Sequence, residues 1–140
     1  MTGPAAPART GSLAGALPLA VVAMGGAAGA LVRWSLGTTV ETGSAFPWLT
    51  LAINLLGCFV LAALPVVGAI RRSPGWTLFL GPGVLGGFTT VSSWAHESRV
   101  LAADGHVALA GLYVAGTLAA CVAAAIAGRS LARPTLGEHR

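Results

Sequence analysis

The sequence predicts an all-α membrane protein of four transmembrane helices, the third broken mid-span, and three observations carry that expectation. The 140 residues are 55% hydrophobic and only 9% charged, with mean hydropathy +0.80, a balance outside that of water-soluble domains. A helix needs ~20 apolar residues to cross a hydrocarbon core of ~30 Å, and that ruler fits Leu17 to Leu36, Trp48 to Ile70, Trp76 to Leu101 and Val107 to Ala127. The third stretch contains "GPGVLGGFTT", in which a proline removes a backbone donor and glycines loosen the chain.

Residues 1–12, with Pro4 and Pro7, read as a disordered lead-in. Arg9 ahead of an apolar stretch from Leu13 has the look of a signal peptide. Apolar character runs on to Leu36, however, interrupted mainly by Arg33, which is long for such a leader and suits a first span. Short connections, "GTTVETGSAFP", "RRSPG" and "AADGH", join the spans into one four-helix domain over 13–128, and residues 129–140 read as a cytoplasmic tail similar to the lead-in. Trp34, Trp48 and Trp76 fall near span ends, where an amphipathic ring sits at the headgroups, whereas Trp94 does not. Gly25 with Gly29, Gly57, and Gly116 with Ala120 and Ala124 supply small faces for close helix packing. Four short helices enclose little interior, so a pathway is expected between subunits of an oligomer.

The eight basic residues are all arginine and outnumber four acids, but they are dispersed and assemble no basic face for nucleic acid. They read as topology signals. Arg9, Arg71, Arg72, Arg129, Arg133 and Arg140 share one side with both termini, while only Arg33 and Arg99 approach the other. The positive-inside rule then puts the termini in the cytoplasm of a chain with a single orientation in the plasma (inner) membrane. Cys58 and Cys121 lie in apolar runs without metal-ligand spacing and read as small packing residues.

Several groups carry chemistry. The break in the third span fits either a simple kink or an ion site, in which unwound carbonyls at Gly86 and Thr89 hold a cation and the restarting helix turns its N-terminal end to an anion. Thr89 and Thr90 are placed to fold their hydroxyls onto freed carbonyls. Asn54 at mid-span fits either an interhelical hydrogen bond or an NH2 donor facing an anion path, and Thr50 stands one turn before it on the same face. Tyr113, Thr117 and Cys121 form an i, i+4, i+8 ladder on the fourth span. A charge at the bilayer centre costs ~2.5 to 3.5 kcal/mol on insertion scales, so Arg33 is either functional or snorkels to the interface. Glu97 pairs with Arg99 or caps a vestibule. His96 and His106 lack partners at zinc-ligand spacing, and no nucleophile triad or phosphate loop occurs, so the chain reads as a non-enzyme.

"GGAAGALVRW", "TLAINLLGCF" and "GVLGGFTTVSSWAHE", in that order, resemble the first-, second- and third-helix signatures of the CrcB/Fluc family of fluoride channels, a likeness running from Gly25 to Gly128. The resemblance implies a dimer of oppositely oriented subunits, two fluoride pores at its interface and passive fluoride export. It also implies a central structural sodium ion on the carbonyls of Gly86 and Thr89. Asn54 becomes a fluoride donor, Arg33 a vestibule residue, and Thr50, Ser92, Ser93, Glu97, Tyr113 and Thr117 line the polar track, with Cys121 where members often have serine.

Two features depart from the family pattern. Two phenylalanines whose ring edges face fluoride in the family are replaced here by Val91 and Trp94; valine has no ring edge, while tryptophan offers an edge or an indole N–H. The arginine bias, moreover, fixes one orientation, whereas antiparallel homodimers are made by chains with little bias. Together these imply a heterodimer with an inverted related subunit. The rivals are a non-conducting partner subunit and a small proton-coupled multidrug transporter, which lacks here its expected first-span carboxylate.

Overall fold

Helix α1 covers Ser12–Thr39, further at both ends than Leu17 to Leu36. Its C-terminal turn is extended by hydroxyls that bond back to the helix, Ser35 Oγ to Leu31 O and Thr38 Oγ1 and Thr39 Oγ1 to Ser35 O, each at 2.9 Å. The computed structural model describes residues 12–40 and 46–137, with side chains for 16–40 and 46–132, so of the lead-in expected over 1–12 residues 1–11 lie outside the described residues and Ser12 already belongs to α1.

Helix α2, Trp48–Ala63, tightens into a 3₁₀ turn at Leu64–Val66 instead of continuing to Ile70. Pro65 has no amide to continue the α-helical ladder, and Val67 turns extended at ψ 99° before the one-turn helix α3, Gly68–Arg71. The expected third span is a series of pieces. Helix α4, Pro74–Leu78, is capped by Ser73 and runs into a π-helical stretch at Phe79–Leu85 around Pro82. Helix α5, Gly86–Phe88, follows; Thr89 and Thr90 are extended, at ψ 158° and 117°; and helix α6 restarts over Val91–Ala103. Gly105, at φ +86°, makes the turn into helix α7, Val107–Gly137. This helix continues through Arg129, where a disordered tail was expected, and Ala132 within the continuation is buried at 1% exposure.

Among the described residues three helical stretches are long and apolar enough to cross a membrane, Ala16–Thr39, Trp48–Val66 and Val107–Ala132. The rest of the bundle is built around them. Helix α1 lies against the π-helical stretch and α5, α2 against α7, and α6 against α7. A Cβ on Gly25 would sit 2.9 Å from the Cα of Gly83, and one on Gly29 would sit 2.8 Å from the amide nitrogen of Phe88, so glycine is what lets α1 touch the broken segment backbone to backbone. Gly57 makes room in the same way for the methyl of Thr89. Gly116 does not: a Cβ there would meet no other part of the chain within 4 Å, and the close approach of α7 to α2 occurs at Gly128 instead, beside Phe59 and Ala62. Leu19, Met24, Leu118 and Ile126 point outwards, exposed, as they should in a chain whose solvent is lipid.

Candidate functional site

The site is the break itself. A continuous helix would give the carbonyl of Gly86 the amide of Thr90, and the carbonyl of Thr89 the amide of Ser93. Neither arrives. The Thr90 amide donates to Asn54 Oδ1 at 2.8 Å, and the Ser93 amide donates to Thr90 Oγ1 at 3.1 Å. Asn54 completes the clamp by donating from Nδ2 to the carbonyl of Thr90 at 3.0 Å. Because a backbone N–H only donates and a C=O only accepts, these partners fix which way round the amide sits. One of its two N–H bonds serves the Thr90 carbonyl, and the other is left for a further acceptor.

The two threonines divide the work. Thr89 folds its hydroxyl onto the carbonyl of Leu85 at 2.9 Å, an oxygen that is not freed, since it also accepts from the Thr89 amide at 3.0 Å. Thr90, expected to do the same, is instead the N-cap of α6, and its hydroxyl also bonds those of Ser92 at 3.2 Å and Ser93 at 3.1 Å. Arg33 reaches across from α1 and donates Nε to the carbonyl of Gly87 at 3.3 Å, so its head sits beside the break. Glu97 does not pair with Arg99. Its carboxylate accepts from Thr50 Oγ1 at 2.6 Å and from the Tyr113 hydroxyl at 2.7 Å, short charge-assisted bonds that tie α6 to both α2 and α7.

Two cavities flank this arrangement and share Thr90 as a wall. The larger, 520 Å³, is lined by Arg33, Thr50, Ser93 and Glu97 among others. The smaller, 320 Å³, is lined by Asn54, the break at Gly86 and Thr89, Val91, Trp94, Thr117 and Cys121. Trp94 is half-buried against the cluster of Leu101, Ala110 and Tyr113. Among the described residues the buried side-chain polar atoms without a hydrogen-bond partner are Trp94 Nε1 and Thr117 Oγ1, both from residues of the smaller cavity. A buried polar group left unpaired costs about 1 to 3 kcal/mol, and both of these belong to residues in the wall of one cavity.

Residues 20–129 match the family described as "CrcB-like protein, Camphor Resistance (CrcB)". The chain belongs to the CrcB family. Among curated CrcB relatives, the chain is 41% identical over 123 residues to the fluoride-specific ion channel FluC of Erythrobacter litoralis, covering 80% of this chain and 89% of that one. It is 45% identical over 103 residues to the FluC of Thermus thermophilus, at 70% and 81% coverage. It is 42% identical over 124 residues to FluC 1 of Streptomyces coelicolor, at 86% and 80%.

The expected site residues of this CrcB-family chain fall into three groups. Arg33, Thr50, Ser93 and Glu97 meet at the larger cavity, and Gly86, Thr89, Asn54, Val91, Trp94, Thr117 and Cys121 meet at the smaller. Tyr113 and Ser92 line neither: Tyr113 is buried at 1% exposure with its hydroxyl spent on Glu97, and Ser92 lies exposed at the start of α6. Sequence reasoning missed Thr90 as the node on which Asn54, Ser92 and Ser93 converge. The signal was present, since a threonine directly ahead of a restarting helix is an N-cap pattern.

Proposed function

We propose that this chain is a fluoride channel subunit, conducting passively along the broken segment and α7, with Asn54, Trp94 and Thr117 as donors to the ion. The observation that carries this reading is the pair of buried, unpartnered groups on Trp94 and Thr117, two residues that with Asn54 and its spare N–H line one cavity whose wall holds no carboxylate. Fluoride is small and strongly hydrated, and it leaves water only where donors replace its shell. An indole N–H, a hydroxyl and an amide N–H are such donors. The names of the CrcB relatives, fluoride-specific ion channels, support the same ion. Arg33 on the larger cavity draws the anion in and offsets its desolvation; the membrane potential, negative inside, drives it out at ~2.3 kcal/mol per 100 mV.

The sodium expectation fits the break. The carbonyls of Gly86 and Thr89 both lose their helical donors, and hard oxygen ligands suit such an ion. Bound there, sodium supplies fixed positive charge. Two carbonyls are too few to replace its hydration shell, so the reading stands together with a dimer in which a second, inverted chain brings two more. Four spans, counting the pieces from α4 to α6 as one, and cytoplasmic termini complete the topology. Val91 is 75% exposed at the edge of the smaller cavity, an aliphatic group where the family has a ring, which favours a heterodimer whose partner supplies the phenylalanine pair.

Reconstitution into potassium-fluoride-loaded liposomes, with a fluoride electrode outside and a potassium ionophore as trigger, tests the function. Efflux above protein-free vesicles is expected from the complete dimer. No efflux from this chain, alone or co-purified with an inverted relative, rejects it. The exposed Val91 also favours a second reading, a non-conducting partner subunit: efflux unchanged by Trp94→Ala and Thr117→Val in the dimer selects it.

A further inference from the structure

Helices α2 and α7 carry matched sets of side chains, Thr50, Asn54 and Cys58 on one and Tyr113, Thr117 and Cys121 on the other, each set at i, i+4, i+8 and so on one face. Every member of the second set stands 63 positions after its counterpart. The contacts follow that register. Thr50 and Tyr113 end on the same carboxylate, and Asn54, Thr117, Cys58 and Cys121 all line the same cavity. The helices therefore run parallel, and their third rung is a pair of free, half-buried thiols in the wall of the smaller cavity.

We propose that Cys58 and Cys121 form a two-sulfur site for a thiophilic cation that favours two-coordinate sulfur, with mercuric ion as the probe. Soft sulfur selects soft metals. A tetrahedral ion such as zinc requires four ligands, and among the described residues no group of three His, Cys, Asp or Glu is gathered anywhere, so the ligand count favours an ion content with two. On binding, both S–H bonds break, two S–Hg bonds form and two protons leave to bulk water. Two thiolate charges then cancel the dication, so the product is neutral, the form that a low-dielectric wall tolerates. The neighbouring Asn54 and Thr117 put the bound metal beside the proposed anion path. Block of fluoride efflux by mercury rests on the channel reading, but binding itself does not.

The test therefore measures binding without fluoride. The purified full-length chain in detergent is titrated with mercuric chloride against an excess of a monothiol competitor. Stoichiometry comes from native mass spectrometry, and thiolate-to-mercury absorbance gives affinity. One mercury per chain is expected, with both titratable thiols lost to a single equivalent. Cys58→Ser and Cys121→Ser are each expected to bind at least ~100-fold more weakly, because bidentate attachment is lost. Two mercury ions per wild-type chain, one thiol lost per equivalent, or single variants that hold mercury as tightly as wild type would each overturn the site. The thiol count is read on the wild-type chain, so a variant that fails to fold leaves the test decisive.

Discussion

Asn54→Asp alters little in shape and much in chemistry, and the clamp on Thr90 says how much. Aspartate keeps an acceptor for the Thr90 amide, now at 2.8 Å, but has no donor for the Thr90 carbonyl, which Nδ2 meets at 3.0 Å. An oxygen would face an oxygen. Leaving that buried carbonyl unpaired costs about 1 to 3 kcal/mol of stability. The charge acts on the ion. Two unit charges ~5 Å apart at an effective dielectric of ~20 repel by ~3 kcal/mol, which lowers occupancy of the path on the order of a hundredfold. Fluoride efflux from liposomes carrying the complete dimer should fall by that factor, and thermal unfolding in detergent should show the stability loss. Asn54→Ala separates the two effects, since it loses the clamp but adds no charge: it should melt at least as early yet conduct better than the aspartate variant. An aspartate variant that melts and conducts like wild type refutes both the clamp and the path.

Other substitutions probe the remaining contacts. Gly29→Val drives a side chain into the backbone of Val84 and Phe88, and overpacking at such a seam should cost at least ~1 to 3 kcal/mol, visible as early unfolding or loss of a monodisperse elution peak. Tyr113→Phe removes one of two charge-assisted bonds to Glu97 and should cost ~1.5 to 3 kcal/mol by the same melting assay. Trp94→Phe should keep fluoride efflux within about tenfold of wild type, because a ring edge replaces the indole donor, while Trp94→Leu should lose more; equal efflux from both variants would remove Trp94 from the path. A reporter fused after Arg140 should appear on the cytoplasmic face alone if the arginine bias sets orientation.

The spans were legible because apolar length is a one-dimensional property, and three of the four are continuous helical stretches near their expected places. Their ends were less so. Pro65 was visible, yet its effect depends on where Val67 turns extended, and the continuation of α7 past Arg129 is supported by burial of Ala132, which only tertiary structure reveals. The irregularity of the third span was readable from Gly81, Pro82 and Gly83, which fall in the π-helical stretch, and from the glycines and threonines of the break that follows it. The roles inside it were not: that Asn54 holds Thr90 by both of its backbone groups, or that Glu97 turns to Thr50 and Tyr113 instead of Arg99, depends on partners 16 to 47 residues away.

The pieces from Pro74 to Ala103 have consequences for how the protein is made. No helix among them is long enough to hold a place in the bilayer by its own apolar length. What the part up to Thr90 leans on, the glycine seam of α1 and the amide of Asn54 on α2, is synthesised earlier, while α6 rests on α7, which follows it. Biogenesis is thus ordered from the N-terminus as far as Thr90: the first two helices act as an intramembrane template, and the interrupted segment, to that point, enters against a surface already waiting for it. Excised and tested by itself in a membrane-insertion assay, the same stretch should insert poorly and gain efficiency when α1 and α2 precede it.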